Sequence, residues 1–204
     1  MPEKNEKKGE LDMMKKLAMK RRSTRIYKND PVKISDIIEV IETGTHAPSG
    51  ANTQPWRFII IDNEAIKRSI REGAEKVDQK FHKEAPEWLR NWFKDNNITS
   101  EKRFLIDAPF LIVVVALKTM PYWLESTWIS IAYMILTIEE KGLSSLTYTP
   151  GETDFLNSML DIPQDYSVVA ILALGFSDEK KESKPTRKNM TQFVFKNRFG
   201  EEFF

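Results

Sequence analysis

The chain has 204 residues, 41% hydrophobic and 30% charged, a globular composition at a length that favours one domain with a substantial core. Its 31 basic and 30 acidic residues leave a net charge of +1, which offers no concentrated basic surface for nucleic acid. Cysteine is absent, which excludes disulfides, thiolate nucleophiles and zinc-thiolate sites, and only two histidines argue against a histidine-rich metal centre. No apolar run approaches the roughly 18 residues of a membrane span. The opening MPEKNEKKGE lacks the apolar core of a signal peptide, so the cytoplasm is the expected compartment.

Residues 1–9 read as a frayed start. Leu11, Met14, Leu17 and Ala18 then recur at helical spacing, which predicts an amphipathic helix from Glu10 to Arg21. Ile34, Ile37, Ile38 and Ile41 form the stripe of a second helix, with Asp36 and Glu39 as a capping box and Gly44 as its stop. Trp56–Ile61 reads as a buried strand, followed by a helix over Glu64–Val77. Residues 78–103 change character: Phe81, Trp88, Leu89, Trp92 and Phe93 stand among charges, which predicts a helical excursion or lid. Phe110–Leu117 is dense in β-branched residues and reads as the strongest strand.

Pro121 is placed as the first residue of a helix running to Lys141, closed by Gly142. Its segment WISIAYMILTI is apolar nearly all round, so it must be covered on every side. It is either a central core helix or has one face on a second subunit. Strands follow at Leu143–Tyr148 and Val168–Leu174, with a short helix over Asp154–Leu160 between them. The tail TQFVFKNRFGEEFF carries five phenylalanines, and residues 193–204 are expected to dock on a partner. The order α-α-β-α-α-β-α-β-α-β is that of an α+β domain.

Four segments could carry chemistry. Arg21-Arg22-Ser23-Thr24-Arg25 offers guanidiniums and hydroxyls that can grip a phosphate, although arginines also suit a helix C-terminus. Ala47-Pro48-Ser49-Gly50-Ala51-Asn52-Thr53-Gln54-Pro55-Trp56 is a small-residue loop whose backbone a planar ligand can approach, or an ordinary turn into a strand. Thr147-Tyr148-Thr149-Pro150-Gly151 ends a strand, where a threonine can donate to a ring nitrogen or simply begin a proline turn. Pro185-Thr186-Arg187-Lys188 is a further phosphate grip or solvated surface. No G-x-G-x-x-G follows a strand and no P-loop exists, so a nicotinamide donor would have to visit a shared pocket.

In this order the four segments resemble the FMN-dependent nitroreductase family, with APSGANTQPW the most specific piece. The resemblance implies an α+β fold with a mixed central sheet flanked by helices, in an intertwined homodimer with FMN at the interface. It implies that Arg21, Arg22, Ser23 and Arg25 form the first flavin segment, with Arg25 near the N1/O2 edge of the ring. Pro48, Ser49, Gly50 and Asn52 would bind the flavin from the other subunit, with Ala51 on the substrate side. Thr147, Tyr148 and Thr149 would lie beside the ring, Thr149 as the catalytic partner of N5, and Arg187 would reach the phosphate.

APSGANTQPWRFIII, the charged lid, the TYTP turn and RKNMTQ look most like the iodotyrosine deiodinase branch. In that branch a Glu, a Tyr and a Lys on the lid grip an amino-acid zwitterion. Lys102 falls at the lysine, and ungapped counting puts Asp78 and His82 at the other two, with Phe81 replacing His82 if the gap shifts by one. The altered trio implies a lid that admits a different aromatic. The expected function is a two-step cycle: a donor such as NAD(P)H reduces FMN, and a small aromatic or quinone-like acceptor stacked on the ring is then reduced. Reductive dehalogenation of a halotyrosine or halophenol, and non-catalytic binding of an aromatic ligand, are the alternatives.

Overall fold

The structure is a computed structural model that describes residues 6–95, 98–180 and 186–204. Two helices open the chain, α1 (Glu6–Lys20) and α2 (Ile34–Thr45), and a 3-10 turn at Gly50–Asn52 leads into β1 (Trp56–Ile61). Next come α3 (Glu64–Glu84), α4 (Glu87–Asp95), α5 (Phe104–Asp107) and β2 (Phe110–Leu117). The remainder is α6 (Trp123–Glu140), β3 (Ser144–Tyr148), α7 (Asp154–Met159) and β4 (Tyr166–Gly175), with a last 3-10 turn at Met190–Gln192.

The strands form one sheet in the order β1-β2-β4-β3, and its three ladders are antiparallel. Among the described residues, parallel pairing is confined to a bridge between Ser23 and Ser145, where the segment after α1 runs along the outer edge of β3. There the Thr24 N–H donates to the Ser145 carbonyl at 3.1 Å, which covers an edge that would otherwise be open.

Strand β2 is continuously apolar because both of its faces are buried. Leu111, Val113 and Val115 join one core with Ile70, Ala74, Leu105 and Leu156 from α3, α5 and α7. Ile112, Val114 and Ala116 join the other with Ile37, Val40, Ile131, Met134 and Ile138 from α2 and α6. A register shift between Val114 and Val115 inserts one extra residue into β4, so Val169 and Ala170 both fall on the α2/α6 side.

Helix α6 explains why its sequence is apolar all round. Its inner face carries small hydroxyl residues, Ser126, Thr127, Ser130 and Thr137, between buried Ile131, Met134 and Ile138. Ser130 donates to the Gly44 carbonyl at 2.8 Å, locking α6 against α2 at close range. Leu124, Trp128, Ile129 and Tyr133 point the other way and remain exposed on the single chain. Of the tail phenylalanines, Phe193, Phe199, Phe203 and Phe204 are likewise exposed, Phe199 at 94%, and Phe195 is half-buried.

Three local expectations need correction. Asp36 and Glu39 form no capping box, since Lys33 is the cap residue of α2 and makes no side-chain cap bond; both carboxylates pair with Lys141 instead, at 3.3 and 2.5 Å. Pro121 is not the first helical residue of α6, because Tyr122 precedes the helix in a left-handed conformation (φ 53°). Helix α3 does not stop at Val77 but continues to Glu84, since Phe81 and His82 pack on Phe93 of α4 as a helical extension of the lid. Gly142 does close α6, with φ 74° and the Gly142 and Leu143 N–H groups donating to the Glu139 and Ile138 carbonyls, a Schellman motif.

A Cβ on Gly44 would sit 2.6 Å from Met134 Cγ, so the α2/α6 contact depends on its absence. Gly44→Val is expected to cost about 2 kcal/mol by overpacking, read as a lower chemical-denaturation midpoint. An unchanged midpoint would mean the two helices can move apart freely.

Candidate functional site

A concavity of about 670 Å³ lies at the end of β3. It gathers Arg25, Asp78, Lys102, Thr147, Tyr148 and Thr149, six of the residues expected to bind cofactor or substrate. Each arrives on a different support: Arg25 from the segment beside β3, Asp78 from α3, Lys102 from the approach to α5, and the TYT run from β3 itself.

Three of them are bonded to one another. Lys102 Nζ is in direct contact with Asp78 Oδ2, and the Tyr148 hydroxyl donates to Asp78 Oδ1 at 3.3 Å. Lys102 Nζ also donates to the Thr99 carbonyl at 3.2 Å, and only 8% of the residue is exposed. Burial, followed by the charge of Asp78 and the hydrogen bond to it, pushes the Tyr148 phenol far above its ordinary value. Tyr148 therefore stays a donor. Its ring also meets Phe104 edge-on, with centroids 5.5 Å apart.

Glu75, which the sequence did not single out, anchors the base of this arrangement. It accepts from the Lys102 backbone N–H at 2.8 Å and from Arg71 Nε at 2.6 Å. Burial opposes its charge, but the Lys102 N–H and then the Arg71 guanidinium outweigh that and hold the Glu75 carboxyl below its ordinary value of 4.5. The available signal was the Arg71–Glu75 pair at helical spacing, which only a contact one turn from Asp78 makes informative.

Other expected residues lie elsewhere. His82 is outside the pocket lining and stacks on Phe93, with centroids 4.3 Å apart and planes 14° from parallel. Arg22 Nη1 donates to the Met19 and Arg21 carbonyls at 2.8 and 2.7 Å, closing the end of α1. Arg21 is half-buried and Ser23 is exposed on the β3 edge; Arg187 is also exposed, and Pro185 lies outside the described residues.

Pro48, Ser49, Gly50, Ala51 and Asn52 sit at the entrance to β1, across the sheet from β3. With three strand spacings between those edges, about 14 Å, the loop does not line the pocket of its own chain. It is held against α6, where the Gly50 N–H donates to Ser126 Oγ at 3.2 Å and a Cβ on Gly50 would meet Tyr122 Cδ2 at 2.6 Å. Ala51, Asn52 and Gln54 all adopt left-handed conformations, with φ of 51°, 54° and 46°. Thr53 Oγ1 is buried without a hydrogen-bond partner. Strain and an unsatisfied polar atom on one short loop are typical of a binding segment.

The chain matches the nitroreductase family over residues 18–176. The chain belongs to that family. A protein of Thermotoga neapolitana named iodotyrosine deiodinase is 33% identical over 183 residues, which cover 90% of this chain and 98% of that protein. A Thermus thermophilus protein named NADH dehydrogenase is 28% identical, covering 81% of this chain and 87% of that one. A crystal structure of oxidized iodotyrosine deiodinase bound to FMN and 3-iodo-L-tyrosine superposes with a TM-score of 0.82 at 32% identity, covering 89% of this chain and 98% of that one. The α+β class and the family expected from the sequence are therefore both correct. Among the described residues no helix is long and apolar enough to cross a membrane.

Because Glu75 is held below 4.5, it stabilises the folded state above that pH and the contribution is lost as the pH falls through its lowered value. Glu75→Gln should flatten the loss of stability on the acid side, measured as Tm against pH between about pH 6 and 3. A variant whose Tm falls with acid as steeply as the parent's would remove Glu75 from this role.

Proposed function

We propose that this nitroreductase-family chain is an FMN-dependent oxidoreductase that acts as a homodimer and reduces a small aromatic or quinone-like acceptor. The observation that carries the reading is the meeting of Arg25 with the Thr147–Thr149 segment in one concavity at the end of β3. A guanidinium, two threonine hydroxyls and a cavity in the 300–1,000 Å³ range of cofactor sites suit a planar, electron-accepting ring. Bound FMN would supply the redox chemistry, a two-electron relay between a nicotinamide donor and the acceptor.

The chain's own residues set the conditions for that relay. Arg25 would hold positive charge toward a bound flavin ring, whose reduction builds negative charge. Thr149 would offer the ring a hydroxyl donor. Arg21, Ser23 and Arg187 serve the phosphate, and Arg22 joins them with the donors left free by Nη1. The Ser49–Gln54 loop serves the pocket of a second subunit, which accounts for its distance from its own pocket, its three left-handed residues and the orphaned Thr53 hydroxyl. The outward face of α6 (Trp128, Ile129, Tyr133) and the phenylalanine tail form the surface that brings the subunits together. The described parts of the excursion, residues 78–95 and 98–103, would cover the acceptor and keep water from the reacting edge.

A second reading has its own support, the 33% identity with a protein named iodotyrosine deiodinase across nearly the whole chain. In that reading the acceptor is a halophenol. Two electrons and a proton replace the carbon–halogen bond by carbon–hydrogen, and halide leaves.

Purified protein should be yellow and release FMN on denaturation. A colourless protein that cannot be reconstituted with FMN overturns the proposal. Arg25→Ala is expected to weaken FMN binding at least tenfold, about 1.4 kcal/mol, and to lower the midpoint potential; unchanged values remove Arg25 from the site. Trp128→Glu should convert dimer to monomer and release FMN together, as followed by sedimentation with absorbance detection. The two readings separate in an anaerobic titration of reduced protein, by whether 3-iodotyrosine or a quinone reoxidises it faster.

A further inference from the structure

We propose that Glu179 is a positioning residue of the flavin site, whose carboxylate fixes the Arg25 backbone and offsets part of the positive charge that Arg25 presents to the reduced ring. The inference rests on the reading of the concavity at the end of β3 as an FMN site.

Glu179 reaches its place through a short ladder outside the main sheet. Beyond Gly175 the chain runs on past the end of β4 and pairs with the segment after α1, through an antiparallel bridge between Tyr27 and Ser177. The Lys28 N–H donates to the Phe176 carbonyl and the Asp178 N–H to the Ile26 carbonyl, both at 2.9 Å. That register brings Glu179 opposite Arg25, where the ladder ends. The Arg25 N–H donates to Glu179 Oε1 at 2.5 Å, in place of a backbone carbonyl. The Glu179 N–H in turn donates to Ser177 Oγ at 3.2 Å, a local turn that holds the carboxylate where it is.

This contact is informative for what it leaves free. A carboxylate beside an arginine ordinarily takes the guanidinium itself, often in a bidentate pair. Here it takes the amide, and among the described residues neither the Arg25 guanidinium nor the Glu179 carboxylate forms an ion pair. Arg25 lines the concavity and Glu179 does not. The guanidinium is therefore left for a ligand, with a negative charge held behind it. Glu179 is half-buried, so solvent screens that charge only in part.

Tyr27 registers both charges. Its hydroxyl donates to the Thr24 and Ala173 carbonyls at 2.8 and 3.0 Å, at the base of the segment that carries Arg25. Burial first and the Glu179 charge second push the Tyr27 phenol far above its ordinary value, and the Arg25 guanidinium opposes them. The two residues thus act on one region with opposite sign.

Reduction adds negative charge to a bound flavin. Arg25 favours the reduced ring, and Glu179 disfavours it. A flavin under Arg25 alone would be easier to reduce and a weaker donor to the acceptor. Glu179 keeps the reduced cofactor a stronger reductant without withdrawing the guanidinium from it.

The test separates charge from hydrogen bonding. Glu179→Gln keeps an acceptor for the Arg25 N–H and removes the charge. The midpoint potential of bound FMN, measured anaerobically by dye equilibration, is expected to rise. The ratio of the dissociation constants of oxidised and reduced FMN should grow at least threefold, about 14 mV for a two-electron couple. Glu179→Ala removes the acceptor as well and should weaken binding of oxidised FMN at least threefold relative to Glu179→Gln; equal affinity overturns the backbone role.

Asp178→Asn removes the same charge from the exposed neighbouring residue and should shift the potential by less than half as much. An equal rise overturns the assignment to Glu179 and leaves only an effect of net charge. Parent and Glu179→Gln proteins that both hold FMN at the same potential defeat the inference alone. A parent that binds no FMN defeats it together with the cofactor reading.

Discussion

Burial of β2 and β4 on both faces is the constraint from which the remaining architecture follows. Two apolar strands at the centre of the sheet cannot be covered by one helical layer, so α3, α5 and α7 take one side and α2 and α6 the other. The edge strands β1 and β3 are then left to organise chemistry at their ends. Tyr148 at the end of β3 bonds to Asp78 of α3, so these two residues of the concavity stand on rigid supports. The same layering puts the Ser49–Asn52 loop at the far edge, locked to α6 rather than to the pocket.

How much of this was legible in the sequence depends on the range of the physics involved. Strands β1 and β2 announce themselves through continuous β-branched runs, and α2 through its isoleucine stripe, because those signals are local. Boundaries set by tertiary contacts were not legible. Asp36 and Glu39 have the spacing of a capping box, but Lys141, distant in sequence, claims both. Helix α3 overran its expected end because Phe81 and His82, in the segment where the sequence changes character, pack across to α4. The character of α6 was half-legible. Its apolar residues could be counted, but the inward placement of Ser126, Thr127 and Ser130 could not.

The candidate site divides in the same way. Arg25, Asp78, Lys102 and the Thr147–Thr149 run meet as the ordered motifs implied. Motif order cannot show that Asp78 and Lys102 face each other, nor that Tyr148 supplies the third member of the group where counting along the lid had suggested His82. His82 was misplaced because its aromatic neighbour Phe93 comes from a separate helix. Glu75 escaped notice because its importance lies in a backbone N–H, and backbone donors carry no residue signature.

The inverted polarity of α6 has a consequence for the life of the chain in a cell. A helix that turns hydroxyls inward and Trp128, Ile129 and Tyr133 outward makes each newly folded chain adhesive. Until that surface is covered, it can meet any other unpaired apolar surface, including those of unfinished chains. Yield on overexpression should therefore depend on how fast that face is covered correctly relative to how fast it meets a wrong surface. Slow synthesis at low chain concentration and rapid synthesis at high concentration both pull on that race, in opposite directions, and chaperones that shield aromatic surface would act on α6 before any other element.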